Sequence, residues 1–151
     1  MVTGRFLKKT SGDETGNTGI VKFHGDHLRW EECVKGGFIE AGTISGLREG
    51  MMQKFLVGDR TLLLAKVEGR FYVTDCICPH LGADLSEGML HGTVLTCPFH
   101  GSRFDIRDGR VVRWTELTGV KLVYAMKERP PRPLHTYPVR IEGDRILIKL
   151  T

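Results

Sequence analysis

Cys78-Pro79-His80-Leu81-Gly82-Ala83 and, separated from His80 by sixteen residues, Cys97-Pro98-Phe99-His100-Gly101 are the two stretches on which the reading of this chain turns. Each opens on Cys-Pro, carries one histidine, and has glycine at the fourth position after its cysteine, so two thiols and two imidazoles recur as mixed pairs, C-x-H and C-x-x-H. Proline presets the backbone and glycine permits positive φ, which lets a loop bend around a bulky inorganic core without clashing with its own side chains. Apolar runs lead into both loops, so each cysteine is expected to follow a strand.

The donor set narrows the metal. Two thiolates suit one iron and two imidazoles another, with two bridging sulfides completing a tetrahedron around each. Replacing two thiolates by neutral imidazoles makes such a centre less negative and raises its potential, to roughly −150 to +300 mV against about −400 mV for four-cysteine centres. A Cys2His2 set also suits zinc, but zinc sites tend to pair Cys with Cys and His with His. A three-thiolate zinc site from Cys76, Cys78 and Cys97 is a second alternative.

On these residues the chain resembles Rieske-type [2Fe-2S] proteins, over roughly Phe38 to Leu150, and Asp84-Leu85-Ser86-Glu87-Gly88, Phe104-Asp105 and Asp108-Gly109 match what that family carries around its loops. The resemblance implies one [2Fe-2S] cluster held by Cys78, His80, Cys97 and His100, with Leu81, Gly82, Phe99, Gly101 and Ser102 around it. In quinol-oxidising relatives two further cysteines clip the loops together; here those positions read Ala83 and Phe99, the pattern of soluble Rieske ferredoxins and oxygenase Rieske domains. A Ser and a Tyr past the second loop tune the high-potential branch. Ser102 stands here with Phe104 in place of the Tyr, so Ser102 is expected to donate to a sulfide and the potential to fall in the lower half of the Rieske range. The family exposes its imidazole edge, which makes His80 and His100 the expected electron exit, collared by Leu81, Phe99 and Met89 to His91.

The implied function is that of a one-electron carrier, not an enzyme, passing electrons from a reductase to a terminal oxidoreductase, most plausibly a ring-hydroxylating oxygenase. Two alternatives stay open: a small Rieske-like subunit of a larger enzyme, as in nitrite reductase, and a redox-sensing module. At 151 residues with 40% hydrophobic content the chain holds one domain and leaves no room for a separate mononuclear-iron domain. His24, His27, His91 and His135 offer no credible second metal site, with His24-x-x-His27 a weak alternative; they read as exposed loop or helix histidines.

A formal charge of +4 is spread among acids rather than gathered in a stripe, which speaks against nucleic acid and for a charged redox partner. Nothing approaches an uninterrupted apolar span or a signal sequence, so no membrane span and a cytoplasmic location are expected.

The expected fold is all-β: an antiparallel Rieske-type β-sandwich or small barrel, with a cluster-binding subdomain made by the two loops. Candidate strands are Met52 to Val57, Thr61 to Val67, Phe71 to Asp75, Thr93 to Thr96, Ser102 to Asp105, Arg110 to Arg113, Thr136 to Ile141 and Arg145 to Leu150, with a helical turn at Ser45 to Arg48. Residues 1–37 read as an N-terminal extension. Its first eighteen residues are expected to be disordered, with a short strand at Ile20 to Phe23 and a helix from Asp26 to Cys33 anchored by Trp30. Residues 38–151 form the domain. Within it an insert, 115–132, is longer than the connection usual in the family and is expected to hold a strand or helix turn and to serve packing, a partner or an oligomer. Cys76 and Cys33 read as buried free thiols.

Overall fold

The structure is a computed structural model and describes residues 37–151; the extension, with its expected tail, strand, helix, Cys33, His24 and His27, lies outside them. Eleven strands and one α-helix follow in order: β1 (Phe38–Thr43), β2 (Met52–Val57), β3 (Arg60–Val67), β4 (Arg70–Asp75), β5 (Met89–His91), β6 (Val94–Thr96), β7 (Arg103–Asp105), β8 (Val111–Arg113), α1 (Gly119–Glu128), β9 (Thr136–Tyr137), β10 (Val139–Glu142) and β11 (Arg145–Lys149). They make three open antiparallel sheets, ordered β1-β11-β10, β2-β3-β4-β9 and β5-β6-β7-β8. None closes into a barrel, so the sandwich alternative describes the fold.

β3 organises the packing. Its run Leu62-Leu63-Leu64-Ala65 is buried throughout, and successive side chains of a strand point to opposite faces. Leu62 and Leu64 join Phe55, Val73, Ile146 and Ile148 in a core between the β1-β11-β10 and β2-β3-β4-β9 sheets. Leu63, Ala65 and Val67 join Leu85, Leu95, Phe104 and Trp114 in a second core that carries the β5-β6-β7-β8 sheet, the smallest in extent because its strands are three residues each. One strand buried on both faces therefore ties the loop-bearing sheet to the rest of the molecule, and its unbroken apolar sequence follows from that.

The run from Thr136 to Ile141 is two strands instead of one. Pro138 has no N–H to give a ladder, and the chain changes sheets there: Tyr137 pairs with Val73 on β4, whereas Val139 pairs with Ile148 on β11. The other expected strands agree within a residue or so. Phe38–Thr43 and Met89–His91 are additional, and the expected turn at Ser45 is a 3-10 turn over Ile44–Gly46. The segment 115–132 contains the ten-residue helix α1. Arg129 ends it at φ −137° and ψ 89°, outside the helical region that a following proline disfavours. Among the described residues no helix is long and apolar enough to cross a membrane.

The small sheet is clipped at the β7–β8 turn by Asp105, buried to 1% exposure. Its carboxylate accepts from the Arg107 side chain at 2.6 and 2.9 Å and from Arg110 at 3.3 Å. The hydrogen bonds from Arg107 hold its pKa down to about 2. A depressed carboxylate contributes stability above its unfolded value of about 3.9, and that contribution is lost as pH falls through the folded value. We expect Asp105→Asn to lower the melting temperature at pH 7, with the gap to wild type closing between pH 4 and pH 2 in thermal scans; a gap independent of pH would show that the carboxylate charge contributes nothing.

Candidate metal centre

The two loops are built alike. The Cys78 N–H donates to the Ala83 carbonyl at 2.8 Å and the Cys97 N–H to the Ser102 carbonyl at 2.8 Å, so each cysteine closes a loop onto the residue five positions on. The fourth position after each cysteine is a glycine in the left-handed region, Gly82 at φ +78° and Gly101 at φ +66°, where an L side chain is strained. Within this common frame the histidine occupies the second position in one loop, His80, and the third in the other, His100. The remaining slots hold Leu81 and Phe99, 47% and 71% exposed. The difference between C-x-H and C-x-x-H is therefore a change of slot in one loop shape, which brings two imidazoles to the same rim from opposing sides.

The His80 and His100 rings meet edge to face with centroids 5.2 Å apart. Cys78 and Cys97 are both buried, at 2% exposure each, and close enough to hydrogen-bond. Burial, then the neighbouring Cys97, pushes the Cys78 thiol up to about 11, while the backbone N–H groups of His80 and Leu81 directed at its sulfur pull the other way. Such a thiol keeps its proton until a metal cation displaces it, as in metal binding coupled to thiol deprotonation. Burial, His100 and Arg129 lower the pKa of His80, which favours the neutral imidazole that ligates metal. His80 Nδ1 is buried without a hydrogen-bond partner. An orphaned, buried ring nitrogen beside a second imidazole is what a metal ligand leaves behind, so the residues fit a metal centre. Among the described residues no three His, Cys, Asp or Glu side chains gather around a single-ion position. The thiols of Cys78 and Cys97 meet as one pair and the imidazoles of His80 and His100 as another.

Asp84 anchors the first loop. Its carboxylate accepts from Cys76 Sγ at 3.1 Å, the Ser86 N–H at 2.9 Å, Ser86 Oγ at 2.5 Å and Lys54 Nζ at 2.6 Å. These donors outweigh partial burial and hold the carboxyl below the usual carboxylate range. Cys76 is fully buried and free, as expected, and acts as a donor; burial and Asp84 push its thiol up to about 11.

Ser102 anchors the second loop: its buried hydroxyl donates to the Trp114 carbonyl. One correction concerns exposure, since His100 is exposed while His80 is buried to 5%. Trp114 lies over His80 with ring centroids 4.9 Å apart, and Arg129 donates to the His80 carbonyl at 3.4 Å. No local sequence signal marks Trp114 or Arg129, because they reach the site through the chain reversal around α1. On β5, Met89 is 72% exposed and His91 is also exposed, with Leu90 packed inward.

Residues 38–138 match the Rieske [2Fe-2S] domain. The ferredoxin component of the naphthalene 1,2-dioxygenase system of Pseudomonas aeruginosa is 34% identical over 114 residues, 76% of this chain and 96% of that protein. Among solved structures, the Sphingomonas yanoikuyae B1 ferredoxin is 27% identical, with a TM-score of 0.61 over 75% of this chain and 98% of its own. A chain from the complex of reduced oxygenase and oxidized ferredoxin in carbazole 1,9a-dioxygenase is also 27% identical, with a TM-score of 0.59 over 73% and 99%.

The Asp84 hub yields a stability prediction. Asp84→Ala leaves Lys54 and the Ser86 N–H without their acceptor and should cost about 2 kcal/mol, lowering the melting temperature by roughly 8 °C. Lys54→Met should cost less, because the carboxylate keeps its other three donors. Equal losses in thermal unfolding would mean that the ion pair alone matters.

Proposed function

Because the chain belongs to the Rieske [2Fe-2S] domain family, we propose that it is the ferredoxin of an oxygenase system, a one-electron carrier that takes electrons from a reductase and passes them to a terminal Rieske oxygenase. It transforms no substrate itself. The relative it matches over nearly that protein's whole length is such a component, and a matching chain lies in a complex of oxygenase and ferredoxin. The observation that carries the reading is the pair of equivalent loops delivering two buried thiols and two imidazoles to one rim.

On this reading Cys78 and Cys97 would hold one iron of a [2Fe-2S] cluster, and His80 and His100 the other; bound there, the cluster supplies reversible one-electron chemistry. The protein's own residues set the conditions. Backbone N–H groups of His80 and Leu81 directed at the Cys78 sulfur stabilise its thiolate. Trp114, Leu85, Leu95 and Phe104 exclude water from the thiol side. His100 is the exposed imidazole and thus the electron port, with Leu81 and Phe99 as its apolar rim. Arg129 places a permanent positive charge against the His80 loop, which favours an added electron nearby. Ser102 positions the second loop through Trp114. Residues 38–151 form the working domain, with 1–37 as an extension and 115–132 as a segment added beside the port. Cys76, a free thiol that the centre does not use, suits a reducing cytoplasm.

The direct test is absorption, EPR and metal analysis on protein purified without oxygen. We expect two irons and two sulfides per chain and a rhombic signal of low average g on reduction, lost in Cys78→Ser; a colourless zinc protein would end the electron-carrier reading. Voltammetry supplies the second check. Arg129→Gln should lower the reduction potential, since it removes a positive charge that stabilises the reduced state, and Arg129→Lys should restore part of it. An unchanged potential in both variants would deny Arg129 that influence.

A further inference from the structure

The segment between β8 and β9 is fastened to both imidazole-bearing loops. The Glu116 N–H donates to the His100 carbonyl at 2.9 Å, the Arg129 guanidinium donates to the His80 carbonyl at 3.4 Å, and the Trp114 indole N–H secures the Arg129 carbonyl at 2.7 Å. α1 spans these two anchors, so it is held beside the electron port.

Its side chains are unusual for a helix of a folded domain. None of the ten residues is buried. Val120, Val123 and Tyr124, at i, i+3 and i+4 on one face, are 72%, 67% and 65% exposed. A helix this short has little stability of its own and depends on packing, and an exposed apolar stripe rimmed by charge marks an interaction surface. Between Arg113 and Arg132 five basic residues stand against two acidic ones, and one of those acids, Glu116, is already paired with Arg113 at 2.7 Å.

The positive rim selects the occupant. A second copy would bring the same positive charge to this face. The chain's own residues 1–36 contain six basic and five acidic residues, with no acidic surplus to match it. Resting on the electron-carrier reading, we propose that α1 is a docking face for the redox partner, and that the partner meets it with an apolar patch rimmed by carboxylates. The partner would then read two features at once, the Leu81–Phe99 rim around His100 and the Val120–Val123–Tyr124 stripe, with Lys121 and Lys127 steering the encounter.

The test uses the full-length, cluster-loaded protein, reduced and mixed by stopped flow with an acidic acceptor, cytochrome b5, or a basic one, cytochrome c. Lys121→Glu with Lys127→Glu should slow transfer to cytochrome b5 by about tenfold at low salt and speed transfer to cytochrome c. The control is the same charge reversal at Arg70 and Lys149; Arg70 begins β4, at the far end of that strand from the Cys78 loop. It should change either rate less than twofold. Val123→Ser with Tyr124→Ser should slow transfer to cytochrome b5 while leaving melting temperature and reduction potential unchanged. Equal effects from the two charge reversals would overturn the proposal, because net charge alone would then account for the rates. A dimer in light scattering that the serine variant dissolves would overturn it in favour of a second copy. A wild-type protein without visible bands that reduces neither acceptor would remove the electron-carrier reading itself.

Discussion

Two backbone hydrogen bonds, Cys78 N–H to the Ala83 carbonyl and Cys97 N–H to the Ser102 carbonyl, give the centre its form. Each closes a loop of the same size, each needs a glycine at positive φ four residues after the cysteine, and each leaves two slots whose side chains point outward or across. Filling those slots as His-Leu in one loop and Phe-His in the other sets two imidazoles against each other and leaves an apolar residue beside each. The chemistry of the site therefore follows from one loop geometry used twice with the histidine moved by one place.

The rest of the structure holds those loops still. β3, buried on both faces, joins the small sheet to the larger two. Asp84 gathers Cys76, Ser86 and Lys54 behind the first loop, and Ser102 ties the second to Trp114. Ligand loops held this way lose little entropy when they engage a metal centre, because the ligands are placed before it arrives. The anchors also make the two imidazoles unequal. Trp114 and Arg129 cover His80, while His100 stays open.

That asymmetry gives the site a direction. On the proposed reading a buried imidazole next to a fixed positive charge would set the electrostatics of the centre. On that reading the exposed one, flanked by Leu81 and Phe99, would serve contact with other molecules, and α1 would widen the same side with a second apolar surface. Tuning and docking would thus be divided between two residues that the sequence presents as equivalent.

The motif residues, the glycines within them and the apolar run of β3 were legible in the amino-acid sequence, because each reflects a local rule: ligand chemistry, positive φ, or alternation across a strand. The strand at Thr136 to Ile141 was not, since proline's missing N–H tells where a ladder breaks but not which sheet receives the chain afterwards. Nor could the sequence show that the Ser102 hydroxyl serves Trp114, that Cys76 serves Asp84, or that Arg129 returns to His80 from 49 positions away. By itself the sequence determined the all-β class and put forward the donor set of the proposed centre. Tertiary structure alone decided which imidazole is covered, which hydroxyl is engaged and where the helix stands, because those outcomes depend on contacts between segments far apart in the chain.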